Sequence, residues 1–299
     1  MDLKRLALAT IVAALPLRAQ SPAPRTPNQN GRIPILEYHL VGDKDSRWGR
    51  SRERFRKDLE LLYARGYRPI TVAQLVDGDI DIPTGTSPVV FTFDDASPGQ
   101  FRFIEVNGKP QVDPEWKPRA TFCMLSGGAS GHNFFGDRGI DGQKTAWRHE
   151  KVRFLAEQGF ELCAHTLWHA NLSKYSDAVV QEQIARNVLA IDSAVAGYTV
   201  RTLALPLGEW PKNRPLAWAG VWRDPKTGKE VRYAFDGVLE VSGAPVPSPA
   251  TAQFNPHSLQ RVQVVGNELE RMLDQLDRSG ARFVSAGTGA KIRPQSRNR

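Results

Sequence analysis

The stretch VVFTFDDASPG, residues 89–99, sets two adjacent aspartates directly behind five apolar or β-branched residues. The run from Val89 to Phe93 reads as a buried strand. Its abrupt end in a double negative charge admits two explanations. Asp-Asp-Ala-Ser-Pro-Gly has the composition of a solvated turn. Alternatively, a cation compensates two carboxylates that would otherwise repel each other and resist burial. The surrounding sequence has to decide.

Strand-like and helix-like segments alternate on both sides. IPILEYHLV (33–41) reads as a strand, and RERFRKDLELLYARGY (52–67) places Phe55, Leu59, Leu62 and Tyr63 at helical spacing. RATFCML (119–125) and FELCAHT (160–166) are further strands. TAWRHEKVRFLAEQG (145–159) and the longest helix, DAVVQEQIARNVLAIDSAVAG (177–197), both end on glycine. VRTLALPLG (200–208) is a strand, ELERMLDQLDRSG (268–280) a late helix and ARFVSA (281–286) a last strand. This alternation predicts an α/β barrel of seven or eight parallel strands with helices packed outside. FRFIEVNGKPQVDPEW (101–116), with Asn107-Gly108, and VWRDPKTGKEVRYAFDGVLEV (221–241), around Lys226-Thr227-Gly228, break the rhythm and read as β-hairpin insertions on its rim. Active sites of such barrels gather at the carboxyl ends of the strands, where Asp94 and Asp95 stand.

The chain has 299 residues, 40% hydrophobic and 24% charged, enough for a sizeable core. Its first residues read differently: Lys4 and Arg5 precede an apolar run from Leu6 to Leu17 and a small residue at Ala19, the pattern of a secretory signal peptide over 1–20. A Pro-rich linker (21–31), one large folded domain (32–288) and a basic tail (289–299) complete the expected organisation. The predicted location is secreted or periplasmic, with no stable membrane span after cleavage and a monomeric state. The formal charge of +8 could reflect an anionic partner such as a cell-wall polymer, but no nucleic-acid motif accompanies it. Cys123 and Cys163 sit inside apolar strands and read as two buried thiols, with a disulfide between neighbouring strands as the alternative.

A second chemical signal is CAHTLWHANL (163–172), with His165 and His169 four apart behind a strand. On a helical turn such a pair faces one way and can grip one ion. Alone the pair is weak evidence, since surface turns carry it too. Its position is the stronger point, because it begins at the carboxyl end of a strand as the aspartate pair does. One carboxylate and two imidazoles make three ligands and leave a fourth position for water, as in catalytic zinc sites. Neighbouring residues of an extended segment point to opposite sides, so one aspartate binds the cation while the other takes a proton.

FTFDD, HTLWH and LALPLG resemble the successive motifs of the polysaccharide deacetylase (NodB-homology, carbohydrate esterase 4) family. ILEYHLV and RERFRKDLELLYARGYRPITVAQL are similar to the start of its extracellular members. The resemblance covers roughly residues 32 to 210, with weaker likeness to 286. It implies a distorted (β/α) barrel that removes N-acetyl groups from amino-sugar polymers, or O-acetyl groups in some members. Asp94 then corresponds to the catalytic base, and Asp95, His165 and His169 to the ligands of a divalent metal; zinc suits them, while Co²⁺, Ni²⁺ or Fe²⁺ would also fit. Two departures stand out. The arginine that opens the third motif and steadies the base is replaced by Leu203 or Leu205, with Leu207 where an aromatic is usual, and Arg201 lies too near the strand start to compensate. The late Leu-x-His that supplies the acid is absent, which makes His39 the first candidate proton donor, His257 the second, and keeps an O-acetyl esterase in play. Leu207, through its backbone N–H, with Trp147 and Trp210 through their rings, are the candidate contacts to an acetylated polysaccharide; Trp168 also lies close to the motifs. A non-catalytic carbohydrate-binding protein is the rival class.

Overall fold

The computed structural model describes residues 25–97, 100, 118–127, 133–136, 148–241, 243–287 and 291–292. The expected signal peptide, the hairpin around Asn107-Gly108, Trp147 and most of the basic tail lie outside them. Among the described residues one sheet has eight strands. They are β1 (Ile35–Tyr38), β2 (Tyr67–Ile70), β3 (Ser87–Phe93), β4 (Thr121–Met124), β5 (Glu161–Ala164), β6 (Thr202–Ala204), β7 (Gly237–Leu239) and β8 (Val262–Gln263). All their pairings are parallel, in the order β7-β6-β5-β4-β3-β1-β8, with β2 on the first half of β3. Leu259 bridges to Leu239 on β7, while Val262 and Gln263 pair with Leu36 and Glu37 on β1. One short segment therefore touches both edges of the sheet, which curls into the expected barrel.

Period-two alternation sorts the strand residues by face. Leu36, Phe91, Phe93, Phe122, Leu162, Leu203 and Val238 join a core with helices α1 (Arg52–Ala64), α3 (Arg148–Glu157), α4 (Asp177–Ala194) and α5 (Glu268–Ser279). Their neighbours Ile35, Val90, Cys123, Cys163, Ala204 and Leu239 form a second cluster inside the barrel. There α2 (Val72–Asp77), opened by a capping box of Thr71 and Gln74, plugs the amino-terminal end. Its free N–H groups are satisfied from the strands: Val72 donates to Thr121 Oγ1 at 3.1 Å and Ala73 to Glu161 Oε2 at 2.9 Å. Thr121 and Thr202 donate to the same buried carboxylate at 2.8 and 2.7 Å. With that end filled, ligand access is left to the carboxyl end.

Three expectations are corrected. Gly237–Leu239 is a barrel strand, so the hairpin at 221–241 is confined to Ala219–Arg223 and Glu230–Ala234 around the Lys226-Thr227-Gly228 turn. ARFVSA is not a strand; Arg282 and Val284 make only isolated bridges to Arg32 and Asn28, because β1 is already flanked by β3 and β8. The two cysteines are joined rather than free: the β4–β5 register sets Cys123 directly opposite Cys163, with Cα atoms 4.2 Å apart. Asn28, within the stretch read as a linker, hydrogen-bonds through its backbone to Val284 at 2.9 Å. No helix among the described residues is long and apolar enough to cross a membrane.

The disulfide spans 40 residues of sequence, a loop whose closure is worth about 2–4 kcal/mol. A Cys123→Ala/Cys163→Ala variant should lose that much stability in urea unfolding, and protein unfolded without reductant should show no titratable thiol.

Candidate active site

The site is assembled from the turns that follow β3 and β5. Asp94 extends the β1–β3 ladder by one step, its N–H donating to Tyr38 O at 3.0 Å, and its side chain lies on the inner face. The chain then turns sharply: Asp95 and Ala96 take φ of 74° and 55°. The two aspartates thus diverge because of a left-handed turn, not because the segment stays extended. The histidine pair is likewise not helical. Residues 165–169 form a loop, with Thr166 and His169 at φ 70° and 63°, conformations that cost a non-glycine residue about 1 kcal/mol or more.

Helix α4 holds that loop in place. Asn187 accepts from His165 N–H at 3.1 Å and donates to Met124 O and Ser126 Oγ at 2.9 and 2.7 Å, tying β4 to β5. Gln183 accepts from Trp168 N–H at 3.3 Å, and Thr166 Oγ1 from His169 N–H at 3.1 Å.

The result brings Asp95, His165 and His169 together, their ligand atoms all within 4.8 Å of one another. Asp95 Oδ1 stands 3.4 Å from His165 Nε2 and 3.7 Å from His169 Nε2. Two atoms each about 2.1 Å from one tetrahedral ion would be about 3.4 Å apart. His165 Nδ1 engages the carbonyl of Ala204 at 2.9 Å, which leaves the Nε2 lone pair inward. Both that Nε2 and Asp95 Oδ1 are buried and accept no hydrogen bond among the described residues. The donor set fits a divalent metal. Burial, with the charge of His165 beside it, pushes the His169 imidazole down to about 4, so it is a neutral ligand near neutrality. Burial opposes the ionisation of Asp95, but His165, His39 and His169 together hold its carboxyl well below the ordinary range.

Behind this triad lies a residue that sequence reasoning missed. Arg261, fully buried, grips Asp94 with two parallel bonds: Nη1 to Oδ1 at 2.7 Å and Nη2 to Oδ2 at 2.8 Å. Nη1 also donates to Thr92 Oγ1 at 3.2 Å and Nε to Glu240 O at 2.9 Å. Burial alone would raise the Asp94 carboxyl; Arg261 first, then His165, outweigh it and hold it below the ordinary range. Glu37 completes the cluster, 3.6 Å from Arg261 Nη2 and 3.5 Å from His39 Nε2. Glu37, His39 and Asp94 also converge within 4.8 Å. The guanidinium already supplies the positive charge there, so this second group is an ion-pair cluster and not a further metal site. The signal for Arg261 lay in RVQVVG (261–266), where a charged residue opens an apolar alternation. Gln100 Nε2 donates to the carbonyls of both His39 and Asp94, locking the two strand ends together.

Residues 81–218 match the polysaccharide deacetylase family. The match spans a little under half of the chain. The family comprises hydrolases that cleave carbon–nitrogen bonds of amides. The fold agrees with solved deacetylases. BC0361, a polysaccharide deacetylase from Bacillus cereus, superposes with a TM-score of 0.60 and 18% identity over 83% of this chain and 69% of its own. The Streptococcus pyogenes deacetylase PplD, solved with acetate, gives 0.57 and 16% over 83% and 98%; IcaB from Ammonifex degensii gives 0.55 and 20% over 82% and 97%. No curated protein matches in sequence.

The deacetylase motifs therefore place as follows. Arg201 sits far from the base, bound to Asp77 and Asp236. Arg261 takes the post that neither it nor Leu203 or Leu205 fills. Leu207 is 58% exposed, at φ 59°. Trp210 donates Nε1 to Glu240 at 2.9 Å and lies under Arg214, whose guanidinium carbon is 3.8 Å from the ring centre. His257 belongs to neither cluster; its ring stacks on Trp218 at 4.8 Å and engages Phe235 O.

Removing one partner of a buried ion pair strands the other, at a cost of about 3–5 kcal/mol. Arg261→Met should lose that much in denaturant unfolding, and adding Asp94→Asn should recover more than half of it.

Proposed function

We propose that the protein is a metal-dependent deacetylase that hydrolyses N-acetyl groups of an amino-sugar polymer such as peptidoglycan, a chitin-like glycan or poly-N-acetylglucosamine. The single observation carrying this reading is the juxtaposition of two unlike groups at one barrel end: a convergent Asp95–His165–His169 triad, with Asp95 Oδ1 and His165 Nε2 buried and without a hydrogen bond among the described residues, and a buried, ionised Asp94. A divalent cation on the triad, with zinc the natural choice for one carboxylate and two imidazoles and Co²⁺, Ni²⁺ or Fe²⁺ also matching, supplies polarisation of the acetyl carbonyl and a more acidic water.

Asp94 then takes the proton of the attacking water; Arg261 fixes both its oxygens and keeps the carboxylate available at neutral pH. The backbone N–H of Leu207, at the mouth, donates to the developing oxyanion. His39, 16% exposed beside the base, delivers a proton to the departing nitrogen. An amine leaves poorly without one. The His39 position thus supplies what the missing Leu-x-His would have, and it favours the amide over the O-acetyl alternative. Trp210, Trp147 and the 38% exposed Trp168 offer rings for stacking against pyranoses. The leader at 1–20 directs the chain to the cell envelope, where such polymers lie.

Purified mature protein loaded with Zn²⁺ should release acetate from acetylated chito-oligomers or peptidoglycan. Asp94→Asn should lower that release by about 10²–10⁴-fold while metal content is retained, whereas Asp95→Asn and His165→Ala should lose the metal on dialysis. Equal acetate from Asp94→Asn would remove it from the base role; metal binding without turnover on any substrate would favour the carbohydrate-binding reading.

A further inference from the structure

The loop after β1 carries an open aromatic ring and a cation that the mechanism above does not use. Trp48 leans on His39, ring centroids 5.2 Å apart, yet stays 45% exposed. The guanidinium carbon of Arg47 lies 4.9 Å from the centre of the same ring. With Leu40, Val264 and Val265 they line a recess beside His39. The loop is held firmly: Leu40–Gly42 and Gly49–Ser51 pair as two short parallel strands, Leu40 N–H donates to Trp48 O at 2.9 Å, and Asp45 Oδ1 accepts from Ser51 N–H at 2.8 Å. Its carboxylates are taken. Asp43 pairs with Arg52 and Asp45 with Arg54, which leaves Arg47 without an ion pair among the described residues. The other arginine–tryptophan pair at this end of the barrel shows the contrast. Arg214, over Trp210, stands 3.8 Å from the carboxylate of Glu240. There the protein supplies the acid; at Arg47 it does not.

We infer that Trp48 and Arg47 form a subsite for the sugar next to the one being deacetylated, and that this sugar carries a carboxylate. Trp48 packs against the pyranose and the Arg47 guanidinium takes the acid group. The inference rests on the deacetylase reading above and narrows it to anionic glycans, in which an N-acetylated residue alternates with a sugar acid. A guanidinium that stacks on an aromatic face keeps its N–H fork in its own plane, the geometry that matches a carboxylate with two bonds. An indole ring offers a pyranose a broad apolar face. The placement agrees: a nitrogen that leaves toward His39 departs next to the ring leaning on Trp48, so the neighbouring pyranose is the one that meets it. The formal charge of +8 suits an anionic polymer as well. Two sources supply this chemistry, the lactyl ether of a muramic residue and the carboxyl of a uronic acid. Arg47 is a specificity residue: it holds the substrate away from the reacting atoms, so its effect belongs to KM more than to kcat.

Matched oligomers test this on the zinc-loaded protein. One is a tetrasaccharide alternating N-acetylglucosamine with N-acetylmuramic acid; another is a hyaluronan tetrasaccharide, alternating N-acetylglucosamine with glucuronic acid. The carboxamide of each keeps the shape and removes the charge. Acetate release from at least one acid should exceed that from its carboxamide by about tenfold or more in kcat/KM, chiefly through KM, and the margin should shrink as salt is raised. Which acid shows the margin separates the lactyl from the uronate source. In Arg47→Gln the acid-to-carboxamide ratio should fall to near one. Arg47→Lys, a point charge without the fork, should keep an intermediate ratio. Trp48→Ala should raise KM for acid and carboxamide alike. The same four oligomers titrated calorimetrically into zinc-loaded Asp94→Asn protein, with and without Arg47→Gln, read the subsite without turnover. Acetate release with no preference for either acid, or with a preference undiminished in Arg47→Gln, would overturn the subsite and leave the deacetylase reading standing. No acetate from any oligomer, with acid-selective binding that Arg47→Gln abolishes, would overturn the deacetylase reading and keep the carboxylate subsite. Neither acetate nor acid-selective binding would overturn both.

Discussion

The ion pair between Arg261 and Asp94 is the constraint on which the rest depends. Neither charge could be buried singly inside this barrel, and together they share two parallel hydrogen bonds with no solvent around them. Arg261 belongs to the short segment that touches both edges of the sheet, while Asp94 ends the long central strand. The bond therefore fastens barrel closure to the base itself. Thr92, Glu240 and Arg261 share the same network, so the base is aimed by groups from three strands or their ends.

A second constraint follows from where the metal ligands must point. Asp95 can reach the imidazoles only if the chain reverses immediately after Asp94, which forces left-handed backbone at Asp95 and Ala96 and again at Thr166 and His169. Aspartate tolerates that region better than most residues, alanine and threonine less well. The surroundings have to over-determine the conformation. They do so through Asn187, Gln183 and the Thr166 hydroxyl on one side, and through the Phe135 N–H bonded to Ala96 O at 3.0 Å on the other.

Much of this was legible in the sequence, for physical reasons that also explain what was not. Buried parallel strands are continuous apolar runs, so Val89–Phe93 and the alternation around it announced the barrel. FTFDD and HTLWH carry their chemistry locally, and the fold brings together the four side chains they predicted. Other features escaped. Two-residue strands such as Val262–Gln263 have no periodicity to read, so the closing segment and its arginine went unrecognised. The ion-pair partner of Asp94 lies 167 residues away, a separation no local motif reports. Helical spacing at His165 and His169 suggested a helix where the structure has a loop, because four residues in an irregular turn can also converge. Cys123 and Cys163 read as thiols because each strand looked self-sufficient; only the register between strands sets them opposite.

The charges at the carboxyl end of the barrel now account for one another. Asp94, Asp95 and Glu37 can bring three negative charges to the site, and Arg261 returns one positive. The site stays acidic, which suits a divalent cation on the triad, although burial holds Glu37 toward its neutral form. Arg261 holds both oxygens of Asp94, one of them 3.9 Å from His165 Nε2, so the base keeps its own counter-ion right beside the triad. A base neutralised by the metal would be a poor base, and one without any counter-ion would be protonated in this enclosure. The arginine lets Asp94 be charged, buried and free to accept a proton at once.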